Sequence, residues 1–247
     1  MALGGLYTSM AGLETSSERL DTVAQNLANA NTQGYAAQQT AAMALPYHGD
    51  APPAGADVIA LGEATDTSAG PVTQTGAPYD VAVQGGWLVV QTEGGGQALT
   101  RDGHLAQNAQ NLLTTASGRP VLGANGTPIS LPALRDITIA RDGSISGIPA
   151  SAVGGQAQSF GKLFLAQTPP GGALRPLANS LYALPAGTAP QPSTSATVTQ
   201  GALEGSNVDQ VKAMMDLIDV SKSYKLETQV MGKSAQTQTA LDQILMS

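Results

Sequence analysis

The stretch LGGLYTSMAGLETSSERLDTVAQNLANANTQGY, residues 3–35, decides how this chain is read. Leu6, Leu13, Leu20 and Leu27 recur every seven residues, and Leu3, Met10, Ser17 and Ala24 form a complementary set three residues earlier. Alternating steps of three and four keep both sets on one stripe of a helix. Such a helix could pack on its own domain, but a sustained heptad points to a partner helix. The run closes in Asn29-Ala30-Asn31-Thr32-Gln33-Gly34-Tyr35, where Asn and Gly tolerate left-handed backbone. Gly34 is therefore expected at positive φ, where Asn should replace it better than Ala and Val should be worst.

The other end mirrors this. Gly205-Ser206-Asn207 precedes Val208, and Asn207 is placed to cap a helix with Gln210 three residues on. From Val208 to Leu245 there is no Pro and a single Gly, Gly232. Such a run would span roughly 57 Å if fully helical. Leu217, Tyr224, Met231 and Leu245 repeat at sevens with Gln238 interrupting, and Met214 and Ser221 fill the complementary set. The expected assembly interface is Leu6, Met10, Leu13, Leu20 and Leu27 with Met214, Leu217, Tyr224, Met231 and Leu245. Its seams carry few large apolar side chains, so the ends should order on assembly.

Between the helices the chain reads as β. Residues 80–92 give two β-rich runs around Gly85-Gly86, a hairpin signal. Short runs at Leu112–Thr115, Pro120–Gly123, Pro128–Leu131, Ile137–Ala140 and Lys162–Ala166 follow, each bounded by turn formers. The Arg-Asp-Gly units at 101–103 and 141–143 read as turns whose Gly supplies positive φ. Such spacing fits a small antiparallel sandwich or barrel. The fold class is thus α+β, with long terminal helices pairing as a coiled-coil-like domain around a central β domain. The expected divisions are an N-terminal helix at 1–35, a connector at 36–70, the β domain at 71–200 and the C-terminal helix at 201–247. Residues 185–200 read as the return connector, and protease should trim the chain to about 71–200.

Composition narrows the function. The 247 residues include 29 Gly, 15 Pro and no Cys, and only 12% are charged, about half the usual share. A net charge of −7 leaves no footprint for nucleic acid or an anionic membrane. No apolar run reaches a membrane span of roughly 20 residues. The first basic residue is Arg19, so no cleaved secretory signal is expected.

No catalytic arrangement emerges. The two histidines, His48 and His104, are isolated and read as surface residues, with no metal site. Gly232-Lys233-Ser234 lacks the upstream Gly and strand of a phosphate loop, since Glu227 stands five residues before it. Gly94-Gly95-Gly96 reads as a hairpin loop, Asn125-Gly126-Thr127 as a tight turn, and Asp216 and Asp219 as solvated helix carboxylates. Neither an enzyme nor a bound cofactor is expected.

The two ends also carry a resemblance. Asn26-Leu27-Ala28-Asn29-Ala30-Asn31-Thr32-Gln33-Gly34-Tyr35 resembles the N-terminal signature of the bacterial flagellar rod and hook proteins. Gln200-Gly201-Ala202-Leu203-Glu204-Gly205-Ser206-Asn207-Val208 resembles the segment that opens their C-terminal helix. Asp80-Val-Ala-Val, Thr100-Arg101-Asp102-Gly103 and Gly118-x-x-Val-Leu-Gly123 are similar to central motifs of the same family. The motif residues so matched are Asn26, Leu27, Ala28, Asn29, Thr32, Gly34 and Tyr35, with Gly201, Leu203, Glu204, Ser206, Asn207 and Val208. Gly86-Trp87-Leu88-Val89-Val90 and the terminal Ile-Leu-Met-Ser look most like the proximal rod branch. Leu99 and Leu105 replace aromatics common in the family. Asn111 stands where relatives carry Gly, and Asn imitates Gly in left-handed backbone.

The resemblance implies a structural subunit of the basal-body rod, self-assembling through its terminal helices into the drive shaft for motility. It implies partners among itself and the proximal and distal rod subunits, and passage through the flagellar export apparatus without a cleaved signal. It further implies a periplasmic rod location, with the β domain outside a helical inner tube and near peptidoglycan. Nucleic acid and membrane insertion are not expected. The alternatives are the distal rod member of the family and a secreted coiled-coil module presenting an adhesive β head.

Overall fold

The computed structural model describes residues 2–46, 56–151, 155–169 and 174–245. The chain is α+β, with a helix at each end and a β-rich centre. It divides into two units. The first comprises residues 1–28, 38–64 and 209–247, and the second 29–37 and 65–208.

In the first unit, α1 (Ala2–Ala28) follows the leucine heptad and stops where the Asn-rich run begins. The Thr32 amide donates to the Asn29 carbonyl at 3.0 Å, and the Thr32 hydroxyl to Asn29 Oδ1 at 3.1 Å, turning the chain. Strands β1 (Gln38–Pro46) and β2 (Ala56–Thr65) pair with each other. The stretch expected as a connector, 36–70, thus holds a strand pair. Its Thr and Val residues suit strands, a preference masked by the surrounding Ala, Gly and Pro. Helix α2 (Gln210–Leu245) lies against α1. Its cap is Asp209, whose Oδ1 accepts the Lys212 amide at 3.0 Å. Asn207, the expected cap, has its side chain committed elsewhere.

The second unit carries the remaining strands. They are β3 (Val72–Gln74), β4 (Val81–Gln84), β5 (Trp87–Gln91), β6 (Gln97–Thr100), β7 (Leu105–Gln107), β8 (Leu113–Thr115) and β9 (Leu134–Ile139). Then follow β10 (Ser144–Pro149), β11 (Gln158–Lys162), β12 (Leu165–Ala166), β13 (Arg175–Pro176), β14 (Leu181–Ala183), β15 (Thr197–Gln200) and β16 (Ala202–Glu204). A five-stranded sheet runs β12-β5-β6-β14-β13, a three-stranded one β11-β10-β9, and β15-β4, β16-β3 and β7-β8 pair by twos.

Strand β5 explains the core. Its Leu88 and Val90 enter one apolar cluster with Leu113, Val121 and Leu131, and its Trp87 and Val89 enter another with Leu99, Leu122 and Tyr182. A strand covered on both faces reads as a continuous apolar run. The hairpin expected around Gly85-Gly86 does not form, because the strands on either side of it take other partners. β4 pairs with β15, register Val83 to Val198, while β5 pairs with β6, Val89 to Leu99. The return connector expected at 185–200 thus supplies the strand partner of β4. The real hairpin turns at Gly94-Gly95-Gly96, where the Thr92 amide bonds the Gly96 carbonyl at 2.9 Å.

Of the two Arg-Asp-Gly units, Gly143 is left-handed at φ +87, but Gly103 is not among the positive-φ residues. A Cβ on Gly103 would overlap the Val81 carbonyl, so its Gly answers a close approach of strands. Asn111 stands at φ 62, the left-handed conformation Asn tolerates. Asn125-Gly126 forms its turn, with Gly126 at φ +77.

Candidate functional site

Two features carry structural chemistry: the apolar faces of the terminal helices, and a buried cluster where the residues flanking those helices meet the β unit.

On α1, Leu13, Leu20 and Leu27 are half-buried, while Met10 is 52% exposed. The side chain of Leu6 and that of Leu245 lie outside the described residues. Thr22 is buried, donating to the Glu18 carbonyl at 2.9 Å and meeting the Thr40 hydroxyl of β1 at 2.9 Å. On α2, Leu217 and Met231 are half-buried, and Met214 and Tyr224 are exposed. The buried apolar positions of α2 are Ala213 and Val220, seven residues apart and in phase with Leu217 and Met231. Their small or branched side chains do not stand out in a search for large apolar residues. Val211, Met215, Ile218, Leu226 and Val230 are also exposed. At about 100° per residue, Val211, Met215 and Ile218 lie opposite the Ala213–Val220 side.

The motif residues at the end of α1 have defined work. The Asn26 amide donates to the Gln38 carbonyl at 2.7 Å and accepts the Gln38 amide at 2.8 Å, pairing with β1 like a backbone unit. Gly34 stands at φ +64, and its amide donates to the Glu204 carbonyl at 2.9 Å. The Asn207 amide reaches the Tyr35 carbonyl at 3.3 Å. Asn207 Oδ1 accepts the Ala37 amide at 2.7 Å, and its Nδ2 donates to the Asp66 and Ser68 carbonyls at 3.0 and 3.1 Å.

Beside these bonds lies the ion pair Arg101–Glu204, at 3.2 Å with side chains only 5% and 3% exposed. Arg101 Nη1 also donates to the Ser68 carbonyl at 2.8 Å and Nη2 to the Thr67 carbonyl at 2.7 Å. Glu204 Oε1 accepts the Gly70 amide at 2.9 Å. The guanidinium lies 4.3 Å over the Trp87 ring, which meets Tyr182 edge-on at 5.1 Å. The Tyr182 hydroxyl accepts the Ala36 amide at 2.7 Å and donates to the Ala36 carbonyl at 3.2 Å.

Burial pushes the Glu204 carboxyl up and the Arg101 guanidinium down, each opposed by the other's charge. Burial also raises the Tyr182 phenol to about 12 and lifts the Asp102 carboxyl, the latter opposed by the His104 amide. Sequence reasoning singled out Gly34, Glu204 and Asn207 as motif positions. It read Arg101 as part of a turn and of the central Thr100-Arg101-Asp102-Gly103 motif, and missed Glu204, Trp87 and Tyr182 as its neighbours. The available signal was a lone Arg closing the apolar run Ala98-Leu99-Thr100.

Elsewhere, His104 is half exposed but pairs through Nδ1 with the buried Asp80 at 2.9 Å. Asp80 also accepts the Thr75 hydroxyl at 2.6 Å. His48 lies outside the described residues. Asp219 pairs with Lys222 on the exposed surface of α2. Among the described residues no group of three or more potential metal ligands comes together. No described helix is long and apolar enough to cross a membrane.

Three segments match family models. Residues 6–35 match one described as flagella basal body rod protein, 82–147 the flagellar hook protein FlgE/F/G D1 domain, and 199–244 the flagellar basal body rod FlgEFG protein C-terminal. The chain is 33% identical over 239 residues to the flagellar basal-body rod protein FlgF of Caulobacter vibrioides, covering 94% of this chain and 93% of that one. To the FlgF of Escherichia coli it is 33% identical over 234 residues, 92% of each chain. To the FlgG of Agrobacterium fabrum it is 30% identical over 250 residues, 91% of this chain and 93% of that one. The chain therefore belongs to the flagellar basal-body rod protein family. Within it the character is FlgF-like: a structural, non-enzymatic subunit of the basal-body rod that serves motility.

Proposed function

We propose that this subunit occupies the proximal part of the rod and builds it through its terminal helices, pairing in a coiled-coil-like manner within a subunit and packing against neighbours. Two observations support the reading. The relatives named FlgF match over nearly their whole length, and α2 carries apolar residues on two sides. Ala213 and Val220 are buried, whereas Val211, Met215 and Ile218 remain exposed. Apolar side chains exposed along a helix in this way suit burial by another helix. The interface would comprise Leu6, Met10, Leu13, Leu20 and Leu27 with Met214, Leu217, Tyr224, Met231 and Leu245, joined by that exposed group. Its partners are further copies of itself and the adjoining proximal and distal rod subunits.

In this reading α1 and α2 form the assembly domain, and residues 29–37 with 65–208 the β domain, whose small sheets layer as a sandwich or barrel. The subunit reaches a periplasmic rod through the flagellar export apparatus with its N-terminal helix uncleaved, and its β domain lies near peptidoglycan. Electron microscopy of basal bodies from a strain carrying a tagged copy tests this. Label confined to the proximal rod is the expected result, and label on the distal rod alone would overturn the assignment. Mass spectrometry of the assembled subunit checks whether its N-terminus is intact.

A further inference from the structure

The three segments that match the family converge in the second unit, Gly34 and Tyr35 from the first, Trp87 and Arg101 from the second, Glu204 and Asn207 from the third. An arginine has five N–H donors. Here Nη1 and Nη2 make their bonds to Ser68, Thr67 and Glu204, while Nε is buried without a partner, as is Glu204 Oε2. A buried pair that leaves a donor and an acceptor unmatched is a poor source of stability. Desolvating both charges offsets their attraction, and apolar side chains of similar volume often serve as well. The Trp87 ring, 4.3 Å from the guanidinium, already provides an apolar neighbour for a side chain at Arg101.

What the pair supplies is direction. The guanidinium fixes the carbonyls of Thr67 and Ser68, the carboxylate fixes the Gly70 amide, and the Glu204 carbonyl takes the Gly34 amide. We propose that Arg101–Glu204 is a registration device: it selects one placement of segments 34–37 and 204–207 on the β unit while adding little net stability. Arg101 and Glu204 are positioning residues in this sense. The proposal stands apart from the assembly reading, since every atom it uses lies within one unit of one chain.

Hydrogen exchange on the full-length protein tests it, comparing the parent with the Arg101→Met/Glu204→Leu double variant and the Arg101→Met single variant. The reporters are the amides of Gly34, Ala37 and Asn207, with those of Val89 and Val121 as core references. In the double variant the core amides should keep their rates within about threefold, while the three reporters exchange at least about tenfold faster. The single variant should lose thermal stability, because Glu204 is left buried without its partner. Parental rates at the three reporters in the double variant would overturn the proposal. So would equal acceleration of the core amides, or failure of the double variant to fold, since either makes the pair an ordinary stabiliser.

Discussion

At Gly34 the backbone stands at φ +64 beside the Arg101–Asp102 peptide, which a Cβ would overlap. The sequence suggested only the first constraint, and with it that Asn should replace Gly34 better than Ala. The close approach cancels that advantage, because Asn brings the same Cβ as Ala. We expect Gly34→Ala and Gly34→Asn each to destabilise the β unit by about 2–4 kcal/mol, combining backbone strain with overpacking. Urea unfolding checks this, and an Asn variant as stable as the parent would restore the simpler account. Tyr182 supports a second expectation. Its phenol is raised from 10.0 to about 12 in the folded protein, so the folded state resists ionisation more than the unfolded chain does. The stability it contributes is complete below pH 10 and is lost as pH rises through about 12. Tyr182→Phe should cost about 1–3 kcal/mol at neutral pH by removing the buried hydroxyl's two bonds to Ala36. It should also flatten the alkaline fall, as unfolding curves between pH 9 and 12 would show.

Among the elements, the two helices are governed by opposite faces. The heptad of α1 was legible because leucines at seven-residue spacing are conspicuous, whereas the buried side of α2 rests on Ala213 and Val220. A charge on each face of α2 separates their roles. Val220→Asp places a carboxylate at a buried position and should loosen the contact of α2 with α1 at a cost of several kcal/mol. Ile218→Asp, at a position already 53% exposed, should leave helicity and thermal unfolding of the purified protein unchanged yet abolish swimming. Circular dichroism and a motility assay decide between them, and a motile Ile218→Asp strain would remove that face from the interface. Leu20→Asp, on the half-buried stripe of α1, should be non-motile with an intact β unit.

For the whole molecule, the β unit reaches beyond residues 71–200, taking in 29–37 and 65–70 and running on to 208. Tyr35 and Ala36 are buried in it, and Glu204 and Asn207 complete its bonds. A fragment of residues 71–200, the span expected to survive protease, would lack Ala36, Ser68 and Glu204 and leave Arg101 buried without its carboxylate. The second unit, residues 29–37 with 65–208, should therefore unfold cooperatively in urea, and 71–200 alone should be weaker by at least about 3 kcal/mol. Equal stabilities would mean that the flanking segments merely rest on a self-sufficient core.

The helix at each end, the β-rich centre, the left-handed Gly34 and Asn111, and the family itself were determined by the sequence alone. Each rests on local periodicity, turn chemistry or contiguous motifs, which act over a few residues. The partner of β4, the strand pair at 38–65 and the Asp209 cap were decided by tertiary structure, as was the meeting of Arg101 with Glu204. The pairing of β4 with β15 and the meeting of Arg101 with Glu204 depend on which surfaces meet across more than a hundred residues. Asn207 shows the reason: a side chain with good local capping chemistry serves instead the amide of Ala37 and the carbonyls of Asp66 and Ser68, groups 139 to 170 residues away in the chain.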